Sequence, residues 1–186
     1  MKKESRRVKM TKALLTQSFL HALEEKPLPR ITVKEICEDA DVNRSTYYVY
    51  YSDPYDQLNK IEEAFISSQT TFIQEILETG ATNNESFVEI MCKLLGFYKE
   101  NKYMLRVLFG KYGNMRLEYD ILSYFAKYVL SFGESKKRKT KKVLQDYTYA
   151  ASGCFGLIIY WLQTDCEESE KQLAQKIAEL TNPIRN

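Results

Sequence analysis

The sequence predicts an all-α protein. Apolar residues recur at helical spacing along most of its length, the alternation that marks strands is nearly absent, and the interruptions carry helix caps and breakers. With 186 residues, 44% of them hydrophobic and 28% charged, the chain can bury a core for one or two small domains, which excludes a disordered chain.

Leu14, Leu15, Phe19, Ala22 and Leu23 make one apolar stripe on a first helix over about residues 5–25, and Pro27 and Pro29 stop it. Thr32 opens T-V-K-E, a capping box in which the Thr32 hydroxyl takes the Glu35 amide while Glu35 reaches back, so a helix starts at 33 and ends at Ala40-Asp41. Asn43 then caps a second short helix over 44–51. Asp53 caps a longer one over 54–78, with Pro54 in its first turn. Further helices are expected at 86–109 with a break near Asn101, at 115–132, at 141–164 and at 168–181. Gly80 with Asn83-Asn84, Gly110 to Gly113, and Gly133-Glu134-Ser135 supply the interruptions.

Two short capped helices joined by Ala40-Asp41-Val42, with an amphipathic helix on either side, have the pattern of a helix-turn-helix DNA reader. The same spacing arises by accident in all-α proteins, so the side chains must decide. In DVNRSTYYVYYSDPYDQL four tyrosines fill four of five places. Tyr47 and Tyr51 lie four apart and share one side, expected to pack with Val33, Ile36 and Phe19. Tyr48 and Tyr50 are turned about 100° from that side in opposite senses, so their hydroxyls can point outward to phosphate oxygens. Arg44, Ser45 and Thr46 stand at the amino end, where arginine can grip a guanine through O6 and N7.

The net charge of +2 lies wholly in the first third of the chain: residues 1–60 carry 11 Lys/Arg against 9 Asp/Glu, and the remainder 16 against 16. Lys2, Lys3, Arg6, Arg7, Lys9 and Lys12 oppose only Glu4, which suits either a solvated tail or a basic arm approaching phosphates. KKRKTKK at 136–142 reads as an exposed loop. Cys37, Cys92, Cys154 and Cys166 lack C-x-x-C spacing and His21 is the only histidine, so neither a zinc site nor a His-dependent triad can be assembled. The cysteines read as reduced thiols and His21 as a helix-face residue. No metal, cofactor or enzymatic activity is expected. No apolar run approaches the ~20 residues of a bilayer span, and MKKESRRVKMTK lacks the apolar segment of a secretion signal. A cytoplasmic protein without membrane association is expected.

ITVKEICEDADVNRSTYYVYYSDPYDQL resembles the amino-terminal domain of the TetR family of bacterial transcriptional regulators, over roughly residues 8–65. The family motif runs as a Thr-capped helix, Ala-Gly-Val-Ser, a short helix with Thr-x-Tyr-x-His-Phe, then a Lys-containing start to a fourth helix. By that resemblance Thr32 is the capping, phosphate-touching threonine, Thr46 the groove threonine, Tyr48 the phosphate tyrosine and Tyr51 the buried phenylalanine. Three positions depart from it: Asp41 stands for the turn glycine, Tyr50 for the histidine, and Pro54 for the lysine, whose phosphate contact the basic arm would replace. The stretches FYKENKYMLRVLFGKYG and YTYAASGCFGLIIYWLQ resemble the carboxy-terminal domain of a subgroup that includes regulators of dihydroxyacetone kinase genes.

The resemblance implies a helix-turn-helix DNA-binding domain over 1–53 and a helical regulatory and dimerisation domain over 54–186. It implies a ligand-responsive repressor acting as a homodimer on a palindromic operator, with double-stranded DNA and a small-molecule effector as partners. Expected DNA contacts are Thr32, Lys34, Asn43, Arg44, Ser45, Thr46, Tyr48 and Tyr50. Tyr98, Phe109, Tyr119, Tyr147, Phe155 and Trp161 are first of all core, and a ligand cavity among them is the family's expectation. Ala150, Gly153, Cys154, Gly156 and Leu157 are the expected dimer contact, since glycines inside a helix cost up to ~1 kcal/mol each unless a second helix approaches; packing within the chain is the other explanation. A TetR-shaped coactivator or adaptor that binds a protein partner remains the alternative function.

Overall fold

The computed structural model describes residues 5–83, 86–113, 117, 119–123 and 141–185, and its regular elements among them are all helical. Helix α1 is Arg6–Glu25, capped where the Val8 amide donates to the Ser5 hydroxyl. Its inner stripe is Leu15, Phe19, Leu20 and Leu23; Leu14, expected on that stripe, is 43% exposed because it sits one place off the helical repeat. Pro27 leads into a 3-10 turn, Leu28–Arg30. Helix α2 is Val33–Asp39 and α3 is Arg44–Tyr50, with Tyr51 already extended.

The Thr32 cap forms with one change from expectation. Its hydroxyl accepts from the Glu35 amide (3.3 Å), but the Glu35 carboxylate takes the Thr32 hydroxyl proton (3.2 Å) and the Lys26 ammonium (2.8 Å). The nearby cation draws it from the backbone.

Helix α4, Pro54–Asn83, opens with a reciprocal pair: the Asp56 amide donates to Asp53 and the Ser52 amide to the Asp56 carboxylate, both 2.9 Å. It runs five residues past its expected end, through Gly80, because one glycine lowers helix stability without breaking the hydrogen-bond ladder. Helix α5, Phe87–Glu100, starts in a full capping box between Ser86 and Glu89. It breaks at Asn101, whose side-chain amide donates to the Phe97 carbonyl (2.8 Å), and α6 follows as Lys102–Leu108. Residues 117 and 119–123 are helical, and the rest of the helix expected at 115–132 lies outside the described residues. Helix α7 is Lys141–Gln163 and α8 is Glu170–Arg185. Lys141 and Lys142 therefore begin a helix, while 136–140 of that basic run lie outside the description.

The chain divides into two compact units, Met1–Ser67 with Val107–Asn114, and Ser68–Arg106 with Met115–Asn186. In the first, α1 packs on α2 and α2 on α3 around Leu15, Phe19, Leu23, Ile36 and Tyr47. The buried Gln57 side chain of α4 donates to the Leu15 carbonyl of α1 at 2.8 Å. In the second, α8 packs against both α5 and α7, with Leu95, Tyr98, Ile158, Trp161, Leu173 and Ile177 in the core. Asp165, at φ 59, receives Lys102 (2.9 Å) and Arg106 (3.2 Å) from α6, and Lys99 of α5 pairs with Glu170 of α8 at 2.8 Å.

Candidate nucleic-acid interface

Two tyrosines anchor α3 from below. Tyr47 is fully buried and Tyr51 is 6% exposed, with ring centroids 5.4 Å apart. Burial pushes both phenols above their ordinary range. Thr16 hydrogen-bonds Tyr51, whereas the Tyr47 hydroxyl has no partner among the described residues. The opposite side of α3 carries Arg44, Ser45, Tyr48 and Val49, all exposed, while Thr46 and Tyr50 are half-buried at its edge. Tyr48, 57% exposed, stands edge-on to the buried Tyr47 ring at 5.6 Å, so one face of its ring is supported by a buried neighbour.

The turn before α3 is tight because Asp41 takes φ 51, the left-handed region, and the Val42 amide returns to the Cys37 carbonyl at 3.0 Å. Asn43 then caps α3: its side-chain oxygen accepts from both the Ser45 amide and the Ser45 hydroxyl, each at 2.9 Å. This spends the acceptor of Asn43 and the proton of Ser45, leaving the Ser45 lone pairs facing outward. Likewise the Thr32 hydroxyl proton is held by Glu35, so it must turn away to donate to a phosphate.

Lys34 and Arg44 border a shallow depression of about 670 Å³ that Glu38 and Asp41 also line. Lys34 is loosely paired with Glu38 at 3.9 Å. Burial raises the Cys37 thiol despite the pull of Arg44, so that sulfur is an inert wall. The surface is polar and mixed in charge. A purer positive field comes from the start of α1, where Arg6, Arg7 and Lys9 are exposed and no acidic residue occupies the first turn. Cations at a helix amino terminus oppose the helix dipole, so the arrangement disfavours isolation and favours anions. Lys2 and Lys3 lie outside the described residues.

Two lysines, Lys12 of the basic arm and Lys60, which carried no site expectation, organise the far end of α3. Lys12 lies over the Tyr50 ring at 5.5 Å, and Lys60 donates to the Tyr50 carbonyl (2.8 Å) and the Asp56 carboxylate (2.9 Å). The Asp56–Lys60 spacing is legible in sequence. The reach from α4 to the end of α3 is not, because it crosses a turn. Val49, the most exposed large apolar side chain of α3, also carried no motif signal.

In the second unit Tyr98, Phe155 and Trp161 are buried, and the Trp161 indole donates to the Glu168 carbonyl at 2.8 Å. Tyr119 is 69% exposed, and Phe109 belongs to the first unit and is half-buried. The Tyr147 side chain lies outside the description. On α7, Ala150 and Cys154 are buried within the chain and Leu157 is half-buried, whereas Gly153 and Gly156 are exposed. A Cβ at either glycine would meet nothing within 4 Å, so packing within the described chain does not require them. Tyr149 and Tyr160, 76% and 68% exposed, flank these glycines on the same face. That pair, missed in the sequence reading, follows from the spacing 149, 153, 156, 160.

Residues 85–183, just over half of the chain, match the TetR-type family described as the transcriptional regulator C-terminal region. An uncharacterized helix-turn-helix-type transcriptional regulator of Bacillus subtilis, YxbF, is 23% identical over 176 residues. That match covers 93% of this chain and 45% of YxbF, so the chain spans under half the length of this curated relative. A TetR-family regulator structure from Syntrophomonas wolfei aligns over 96% of both chains with a TM-score of 0.69 at 14% identity. The dihydroxyacetone kinase operon activator DhaS aligns over 93% of this chain and 94% of its own, with a TM-score of 0.59 at 17% identity.

Proposed function

The chain belongs to the TetR family of transcriptional regulators, and from that premise we propose that it is a sequence-specific DNA-binding repressor, homodimeric on a palindromic operator and controlled by a small-molecule effector. Residues 1–53 form the reading domain and 54–186 the regulatory and dimerising domain, acting in the cytoplasm. Among the described residues no helix is long and apolar enough to cross a membrane.

The observation that carries this reading is α3 itself, a short helix fixed by Tyr47 and Tyr51 that turns Arg44, Ser45 and Tyr48 outward. Arg44 offers two donors to a guanine, Ser45 offers an acceptor, and Thr46 supports them from the edge. Tyr48, Tyr50, Thr32, Lys34, Asn43 and the start of α1 face phosphates. Lys12, held over Tyr50, supplies a cation at the carboxyl end of α3. The exposed Tyr149, Gly153, Gly156 and Tyr160 face of α7 meets its copy, and a palindromic operator presents its two half-sites about one DNA turn, ~34–36 Å, apart. The effector is received among the aromatic residues of the second unit, with Tyr98, Phe155 and Trp161 as its innermost walls.

Selection of duplexes from a random library, followed by titrations at several salt concentrations, tests the function. A preferred inverted repeat is expected, bound with log affinity falling steeply against log salt. Arg44→Ala should relax base preference at one position and cost about 1–3 kcal/mol there, while removing residues 1–7 weakens all sequences alike. Equal affinity for random and selected duplexes would overturn DNA reading and favour the adaptor role.

A further inference from the structure

Val49 is 74% exposed, more than any other large apolar side chain described in the first unit. It stands on a helix whose inner side is closed by Tyr47. At about 100° per residue, Ser45 and Val49 lie within roughly 40° of one another on the outer side, with Arg44 and Tyr48 on one flank. Any approach that brings Arg44 and Ser45 to base edges therefore brings Val49 with them, one turn further along α3.

Valine has no donor or acceptor to offer those edges. The major groove presents one apolar group, the C5 methyl of thymine, among its hydrogen-bonding atoms. A β-branched side chain in a helix is also held largely to one χ1 rotamer, so its methyls are fixed before contact and little freedom is lost on binding. We propose that Val49 reads a thymine methyl in each operator half-site, at a base pair adjoining those read by Arg44 and Ser45. This rests on the DNA-reading role proposed above and adds an apolar determinant to it.

The test uses the full chain and the operator obtained by selection. Each thymine is replaced, symmetrically in both half-sites, by deoxyuridine, which removes only the methyl. At one position wild type should lose about 4-fold per half-site, or roughly 15-fold for both, the size of one methyl withdrawn from apolar contact. Val49→Ala, a change at an exposed site that leaves the fold intact by its melting curve, should bind the thymine and deoxyuridine duplexes equally at that position. Absence of any deoxyuridine effect, or an effect that persists undiminished in Val49→Ala, overturns the assignment while leaving DNA reading in place. Failure to select any sequence overturns the DNA-reading function and this assignment with it.

Discussion

Asp41 holds a left-handed backbone, φ 51, in the turn between α2 and α3. Aspartate tolerates that region at a cost that glycine escapes, so Asp41→Gly should raise stability by about 0.5–1 kcal/mol in denaturant titration even though it removes a side chain. An unchanged or lower midpoint would mean that the carboxylate contributes something the backbone conformation does not. Tyr47 makes the opposite case. Its hydroxyl is buried with no partner among the described residues, so Tyr47→Phe should be neutral or stabilising by up to about 1 kcal/mol, whereas Tyr47→Ala loses a core ring and roughly 3–5 kcal/mol. Glu35 is a third residue with a definite sign. Partial burial raises its pKa, but the Lys26 ion pair and the Thr32 hydrogen bonds more than offset this and hold it below the ordinary value. Its contribution is therefore present above about pH 4.5, the unfolded value, and lost as pH falls through the lowered folded value. Glu35→Gln should cost a few tenths to about 1 kcal/mol at pH 7, and its difference from wild type should shrink in melts as the pH falls below the ordinary carboxylate value and through the lowered folded one. The face of each tyrosine was legible in sequence because it follows from local helix geometry, whereas the left-handed turn at Asp41 was marked only by the glycine that the family resemblance sets there. The Lys26 partner of Glu35 was not legible, since it comes from beyond the 3-10 turn.

Caps decide where the helices of this chain begin. Asn43, Ser86 and Ser169 each satisfy a first-turn amide, at 2.9, 3.3 and 3.3 Å. The caps read in the sequence, Thr32, Asn43 and Asp53, made the starts of α2, α3 and α4 readable, and the helix ends less so: α4 passes Gly80 where a stop was expected. Asn43 sits both at a cap and at the proposed DNA surface, and two substitutions separate these roles. Asn43→Ala should cost about 1 kcal/mol of stability through loss of the cap. Asn43→Asp keeps a capping oxygen and should melt within a few tenths of a kcal/mol of wild type, yet bind DNA more weakly because a carboxylate then faces phosphates. Equal DNA binding by the Asp variant and wild type would remove Asn43 from the interface.

At the scale of the whole molecule the sequence was least informative, because assembly depends on which side of α7 is left uncovered. The small-residue run drew attention to Ala150 and Cys154 equally with Gly153 and Gly156, yet the first two are covered within the chain and the glycines are not. Only tertiary packing separates them. Gly153→Leu should accordingly fold at least as well as wild type, since its Cβ meets nothing within 4 Å and a helix interior gains up to about 1 kcal/mol on losing glycine. Sedimentation should nevertheless show it monomeric, with binding to a two-half-site operator lost. An intact dimer would move the interface to another face. A separate consequence follows from the single tryptophan of the chain, 2% exposed with its indole bonded to the Glu168 carbonyl. Tryptophan emission is then a lamp placed in the second unit alone, blue while Trp161 is dry and red once water reaches it. Helical circular dichroism that disappears on heating before that colour changes has been lost outside the surroundings of Trp161, and no label is needed to tell the two apart.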